Sequence, residues 1–141
     1  MTEPAAEVPR VVAAAIEGLL ASRSEPLLIV GLCGAQGSGK STLADALAGR
    51  LVQGGHPTAI LSIDDLYLTR EERMRLARDV HPLLATRGPP GTHDIVLGCA
   101  TIEALRRGEP CRLPRFDKAR DDRRPESEWP EAPAGCAVLI L

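Results

Sequence analysis

Chemistry concentrates in one run of the chain: Gly34, Ala35, Gln36, Gly37, Ser38, Gly39, Lys40, Ser41 and Thr42. The spacing is G-x-x-x-x-G-K-S. Glycines let a backbone turn tightly enough for successive N–H groups to point at one anion, and a helix starting there adds its positive end. Such a loop cradles the phosphates of a nucleoside triphosphate, here expected to be ATP. Lys40 would reach the β/γ oxygens, which makes it catalytic as well as nucleotide-binding, and the Ser41 hydroxyl would sit on Mg²⁺. A glycine turn that merely happens to precede a helix is the bland alternative, and the flanking sequence argues against it.

Before the loop, Leu27 to Cys33 run without a polar residue, which predicts a strand buried on both faces. After it, Leu43, Ala44, Leu47, Ala48 and Leu51 recur at helical spacing until Gly54-Gly55 stops the helix. Thr58 to Ile63 is β-rich and predicts a second, parallel strand in a right-handed βαβ unit. Asp64-Asp65-Leu66-Tyr67 then follows the carboxyl end of that strand, the edge where open α/β sheets hold ligands. A helix cap or Asx turn accounts for one of these carboxylates; the pair suggests a metal or a substrate hydroxyl. Cys136 to Leu141 predicts a third buried strand. The fold class expected is therefore α/β, a P-loop NTPase-type parallel sheet with flanking helices, incomplete at three strands.

The remaining elements serve this frame. Val8, Val11, Val12, Ala15, Ile16, Leu19 and Leu20 predict an amphipathic helix from Pro9 to Ser22, so residues 1–25 read as a helix and linker packed on a domain of 26–141. Thr69-Arg70-Glu71-Glu72 is a capping box opening a charged helix. Residues 81–94 form a long Pro/Gly loop, in which Arg87 suits a carboxylate or phosphate better than His81 or His93 suits catalysis. Thr92 can cap a helix from Asp94 to Arg107 with Ile95, Cys99, Ile102 and Leu105 inward, and the mixed charges from Leu113 to Pro125 read as a solvated loop.

At 141 residues and a net charge of −2 the chain is one domain's worth and is not a general nucleic-acid binder. Neither a signal peptide nor a membrane-spanning run is present, and Cys33, Cys99, Cys111 and Cys136 show no metal-ligand spacing. Buried, reduced thiols in a cytoplasmic protein are expected.

The phosphate loop, S-I-D-D-L-Y at 62–67, R-G-P-P-G-T-H-D at 87–94 and L-P-R-F-D-K-A at 113–119 together resemble the D-glycerate 3-kinase group. That group belongs to the P-loop kinases, with uridine kinase, phosphoribulokinase and bacterial pantothenate kinase. The resemblance implies an ATP- and Mg²⁺-dependent kinase acting on a small molecule, D-glycerate or a similar sugar acid. Pantothenate- or uridine-type acceptors, or a catalytically silent nucleotide-binding module, are the alternatives. It makes Asp64 the catalytic carboxylate and, with Ser41, a metal ligand. Asp65 and Tyr67 would line the acceptor site, bordered by Arg87, His93, Arg115, Phe116, Asp117 and Lys118. In the group the strand matching Ala137–Leu141 lies second in a sheet of order 2-3-1-4-5 and is followed by an acidic E-G-W-like motif and an arginine-bearing lid. The sequence is therefore expected to be an N-terminal portion, C-terminally truncated, with its first strand left at an edge and little activity alone.

Overall fold

A computed structural model describes residues 3–141 as α1 (Glu3–Ser22), β1 (Leu28–Val30), α2 (Lys40–Gln53), β2 (Thr58–Ile60), α3 (Arg70–Asp79), α4 (Ile95–Arg106), β3 (Phe116–Asp117), β4 (Asp122–Arg123) and β5 (Val138–Ile140). Short 3-10 turns occupy Ile63–Leu66, Pro82–Ala85 and Glu126–Glu128. The described chain divides into two compact units, the first made of the residues up to Ile60, Arg106–Gly108 and Pro133–Leu141, the second of Leu61–Leu105 and Glu109–Ala132.

The first unit is built on a three-stranded parallel sheet of order β1-β5-β2. β5 lies in the middle, with Val138 and Leu139 fully buried and Ile140 nearly so. Its neighbours align so that Leu28 and Thr58 both face Val138 in register. α1 and α2 supply Ala13, Ile16, Ala44, Leu47 and Leu51 to the same core as Ala137, Val138 and Ile140. Leu47 and Leu51 are wholly buried, each contributing about 1.5–3 kcal/mol.

The strand order and the edge position of the first strand match expectation; several details do not. β1 is only half-buried, because β5 covers one edge and no other described strand pairs with it. β2 ends at Ile60, since the next residues turn to let Ser62 cap the 63–66 turn, which leaves Ile63 exposed. α1 starts at Glu3 and carries Pro9 inside it. Its apolar residues fit two helical faces; Pro9, Ala13 and Ile16 are buried while Val8, Val11 and Leu19 are more than half exposed.

The second unit is short elements tied by polar contacts. Thr69 and Glu72 form the expected capping box at α3, with Thr69 N donating to Glu72 at 2.8 Å. α4 is capped by Asp94, whose Oδ1 accepts from Leu97 N at 2.9 Å, and not by Thr92. Thr92 is fully buried and instead closes the preceding loop, accepting from Gly88 N and donating to Pro89 O. The face α4 buries is Gly98, Thr101 and Leu105, leaving Ile95 and Cys99 exposed. Gly98 is small for a reason, since a Cβ there would stand 2.9 Å from Leu66 Cδ1. The run expected as a solvated loop contains the antiparallel β3–β4 pair, Phe116 facing Arg123. Of the four cysteines only Cys136 is buried, correcting the expectation of buried thiols for Cys33 and Cys99.

Candidate functional site

In the first unit the glycine loop passes directly into α2. Gly37 and Gly39 hold φ of 76° and 85°, left-handed values that favour glycine. Gly39 is the helix N-cap and offers no side chain, so the first-turn amides of α2 carry no side-chain acceptor. Lys40, the first helical residue, folds back so that Nζ donates to Gly34 O at 2.8 Å and Ala35 O at 2.7 Å. Ser41 and Thr42 follow, both exposed. Gly34 to Thr42 thus combine left-handed glycines, an uncapped helix start and the Lys40 ammonium in one short run of main chain.

In the second unit Asp64 sits in the 63–66 turn, and its Oδ2 accepts from Lys118 Nζ at 2.6 Å. The Lys118 hydrogen bond holds the Asp64 carboxyl below its usual range, against an opposing push from burial, and the Tyr67 hydroxyl adds a further donor. Burial, then the Asp64 charge, pushes the Tyr67 phenol up, so it stays protonated and donates. The Tyr67 ring stacks on His93 at 4.5 Å between centroids and meets Phe116 edge-on at 5.4 Å. His93 Nε2 is buried without a hydrogen-bond partner. Asp64, Tyr67, His93, Phe116 and Lys118 are therefore one cluster of an ionised carboxylate, a fixed phenol, a cation and an aromatic wall.

The other expected acceptor residues hold this cluster in place. Asp65 completes the turn's capping box with Ser62, accepts from Phe116 N at 3.1 Å, and lies 3.5 Å from the Arg115 guanidinium. It is the carboxylate of the pair that the capping alternative accounts for. Asp117 accepts from the amides of Ala119 and Arg120, shaping the turn that carries Lys118. Arg87 pairs with Asp121 at 2.6 Å and lies over the Phe116 ring at 5.8 Å. His81 caps the 82–85 turn, its Nδ1 accepting from Leu83 N.

Three residues that sequence reasoning passed over complete the frame. Arg73 is wholly buried and donates to Leu68 O, Ala85 O and Asp121 O. Asp121 adopts a left-handed φ of 54° between Arg73 and Arg87. Arg123 bridges Tyr67 O at 2.9 Å and Asp94 Oδ2 at 3.0 Å. A buried arginine in R-E-E-R-M-R looks like its exposed neighbours, so only the D-D-R spacing after the F-D-K run offered a signal.

Lys118→Met should raise the titration midpoint of Asp64, because the first-ranked lowering cause is removed while burial still disfavours the charge. The pair's contribution is present at neutral pH and is lost as pH falls through the depressed Asp64 value. Carboxyl-carbon NMR of both proteins reads this directly, and an unmoved midpoint would sink the assigned pairing.

The family model of the methylmalonyl-CoA mutase-associated GTPase MeaB matches residues 3–67, under half of the chain and ending before the 87–94 and 113–119 motifs. An uncharacterized kinase, mug58, of Schizosaccharomyces pombe is 39% identical over 121 residues, covering 80% of this chain and 44% of the relative. The chloroplastic D-glycerate 3-kinase of Arabidopsis thaliana is 36% identical over 127 residues, covering 82% and 28% respectively. The solved structure of D-glycerate 3-kinase from Cryptococcus neoformans superposes with a TM-score of 0.73 at 30% identity, over 94% of this chain and 51% of that one. The chain spans less than half the length of these two curated relatives. Over the part of their length that it matches, the chain is related to the P-loop kinases of the glycerate and uridine branch.

Proposed function

We propose that the chain serves ATP-dependent phosphoryl transfer to a hydroxyl of a small hydroxy acid, with D-glycerate as the acceptor and 3-phosphoglycerate as the product. The observation that carries this reading is the ionised Asp64 held by Lys118 and Tyr67 beside an aromatic wall. The main-chain amides from Gly34 to Thr42 would hold the phosphates, with Lys40 swinging from its carbonyl partners onto the β/γ oxygens. Ser41, exposed in the first turn of α2, would hold Mg²⁺, and the Asp64 carboxylate is the second candidate ligand. That ion, when bound, neutralises charge on the phosphate oxygens.

Asp64 accepts the acceptor's hydroxyl proton as that oxygen bonds to the γ-phosphorus and the bond to ADP breaks. Lys118 keeps Asp64 charged, and Tyr67 fixes which carboxylate oxygen faces the hydroxyl. The acceptor's own carboxylate is drawn by Lys118, Arg87 and Arg115, cations a nucleoside acceptor would not need. The two D-glycerate 3-kinases among the relatives support glycerate over uridine.

A coupled ADP-release assay with D-glycerate, uridine and pantothenate, run on a full-length relative that carries the same motifs, tests the reading. D-Glycerate should give the highest rate, and the substitution equivalent to Asp64→Asn should lower it by about 10²–10⁴-fold, the usual worth of a positioned base. Equal rates with and without D-glycerate, or an unaffected Asn variant, would overturn it.

A further inference from the structure

Beside the β3–β4 pair, within the second unit, lies a cavity of about 450 Å³ lined by Arg70, Asp117, Arg120, Asp122, Arg123 and Arg124, with Pro125 at its edge. Of its four arginines the site described above uses only Arg123, as a brace. Four guanidinium groups and two carboxylates line it, and a third carboxylate, Asp94, pairs with Arg123, which leaves a surplus of one positive charge.

The two lining carboxylates are held in place by main-chain amides, and Asp117 also pairs at long range with Arg124. Asp122 Oδ1 accepts from Arg70 N and Arg123 N, each at 2.9 Å. Asp117 Oδ1 accepts from Ala119 N at 3.0 Å and Arg120 N at 3.1 Å, and its other oxygen stays 3.9 Å from Arg124. Among the described residues the guanidinium groups of Arg70 and Arg120 have neither an ion-pair nor a hydrogen-bond partner. The floor is rigid, since Arg123 is locked by Tyr67 O and Asp94.

We propose that this concavity binds a small phosphate-bearing anion. The two unpaired guanidinium groups, Arg70 and Arg120, suit a phosphate anion, whose oxygens match the forked donors of arginine. The volume falls in the range of small-molecule sites, about 300–1,000 Å³. The net charge of −2 for the whole chain argues against a nucleic-acid backbone as the occupant. The cavity shares Asp117 and Arg123 with the frame of the candidate site, but the proposal uses neither Lys40 nor Asp64 and does not rest on the phosphoryl-transfer reading.

The test is an NMR titration of the full chain with inorganic phosphate and with glycerol 3-phosphate, following the amides of Ala119 to Arg124. At least one probe should give saturable shifts there. Arg70→Gln combined with Arg120→Gln should weaken that binding by at least about tenfold, the worth of one charge-assisted hydrogen bond. Lys40→Ala should leave it unchanged, which separates this site from the glycine loop. Both arginine side chains are exposed, and unchanged Trp129 fluorescence will report that the double variant folds. No saturable shift with either probe, or equal affinity in the double variant, overturns the proposal.

Discussion

Arg73→Met should lower the stability of the second unit by about 3 kcal/mol, the lower end of what breaking a buried charge pair costs. The wild-type guanidinium is wholly buried and joins three segments, donating to Leu68 O at 3.2 Å, Ala85 O at 2.9 Å and Asp121 O at 2.6 Å. Methionine fills the volume but leaves those carbonyls without their donor, which costs roughly 1–3 kcal/mol for each that stays dry. The loss stays at the low end because Asp121 is part-exposed and keeps Arg87. Lysine should restore little, since a single ammonium cannot reach three divergent acceptors. Trp129 is the only tryptophan and lies in the second unit, so its fluorescence in a urea titration reads this unit alone. A wild-type midpoint in Arg73→Met would show that the buried cation contributes no net stability. Part of the difference should also shrink in acid. Burial raises the Asp121 carboxyl, but Arg87 and Arg73 outweigh it and hold the group low. Its contribution is therefore complete above the ordinary carboxylate range and fades as pH falls through the depressed value. Asp121→Gly should be milder than Asp121→Ala, because only the latter must strain to reach the left-handed φ of 54°.

What could be read in the chain alone divides along the same physical line. The β1-β5-β2 order was legible only through the family resemblance, whereas the glycine loop and the α2 stop at Gly54 follow from local spacing, which a single sequence displays. Which strand is the buried one does not, because Leu27 to Cys33 and Cys136 to Leu141 are equally apolar and only their neighbours differ. Helix faces failed where apolar residues outnumber the face. α4 carries Ile95, Val96, Leu97 and Cys99 in its first turns, yet it buries Gly98 because Leu66 needs the close approach. The charged run from Leu113 to Pro125 was legible as chemistry through Arg115, Asp117 and Lys118, but not as structure. Its order comes from partners far along the chain, Asp122 with Arg70 N and Arg123 with Asp94, and pattern reading has no access to those pairings.

Lys40→Ala should reduce ATP affinity by at least about a hundredfold while leaving the fold intact. In this conformation the ammonium bonds only to Gly34 O and Ala35 O, two acceptors on an exposed loop that water can satisfy instead. Little stability is therefore at stake. Binding is different, because the same ammonium is the one cation in the run from Gly34 to Thr42, and two charge-assisted bonds at about 1.5–3 kcal/mol each correspond to a hundredfold or more. Arginine at this position should not rescue, since its planar fork replaces a compact charge that rotates freely among phosphate oxygens. Gly39→Ala offers an independent check of the cradle itself. No atom blocks a Cβ there, but the φ of 85° would be strained, so the loop must reshape even though the charge is untouched. Calorimetric titration with Mg-ATP distinguishes the outcomes, with Asp64→Asn as the comparison expected to lose far less affinity than Lys40→Ala, because its carboxylate touches the metal at most and not the phosphates, and its larger role begins once a hydroxyl arrives. ATP bound equally well by Lys40→Ala and by Gly39→Ala would mean that the nucleotide is held somewhere other than this loop, and the phosphoryl-transfer reading would fall with it.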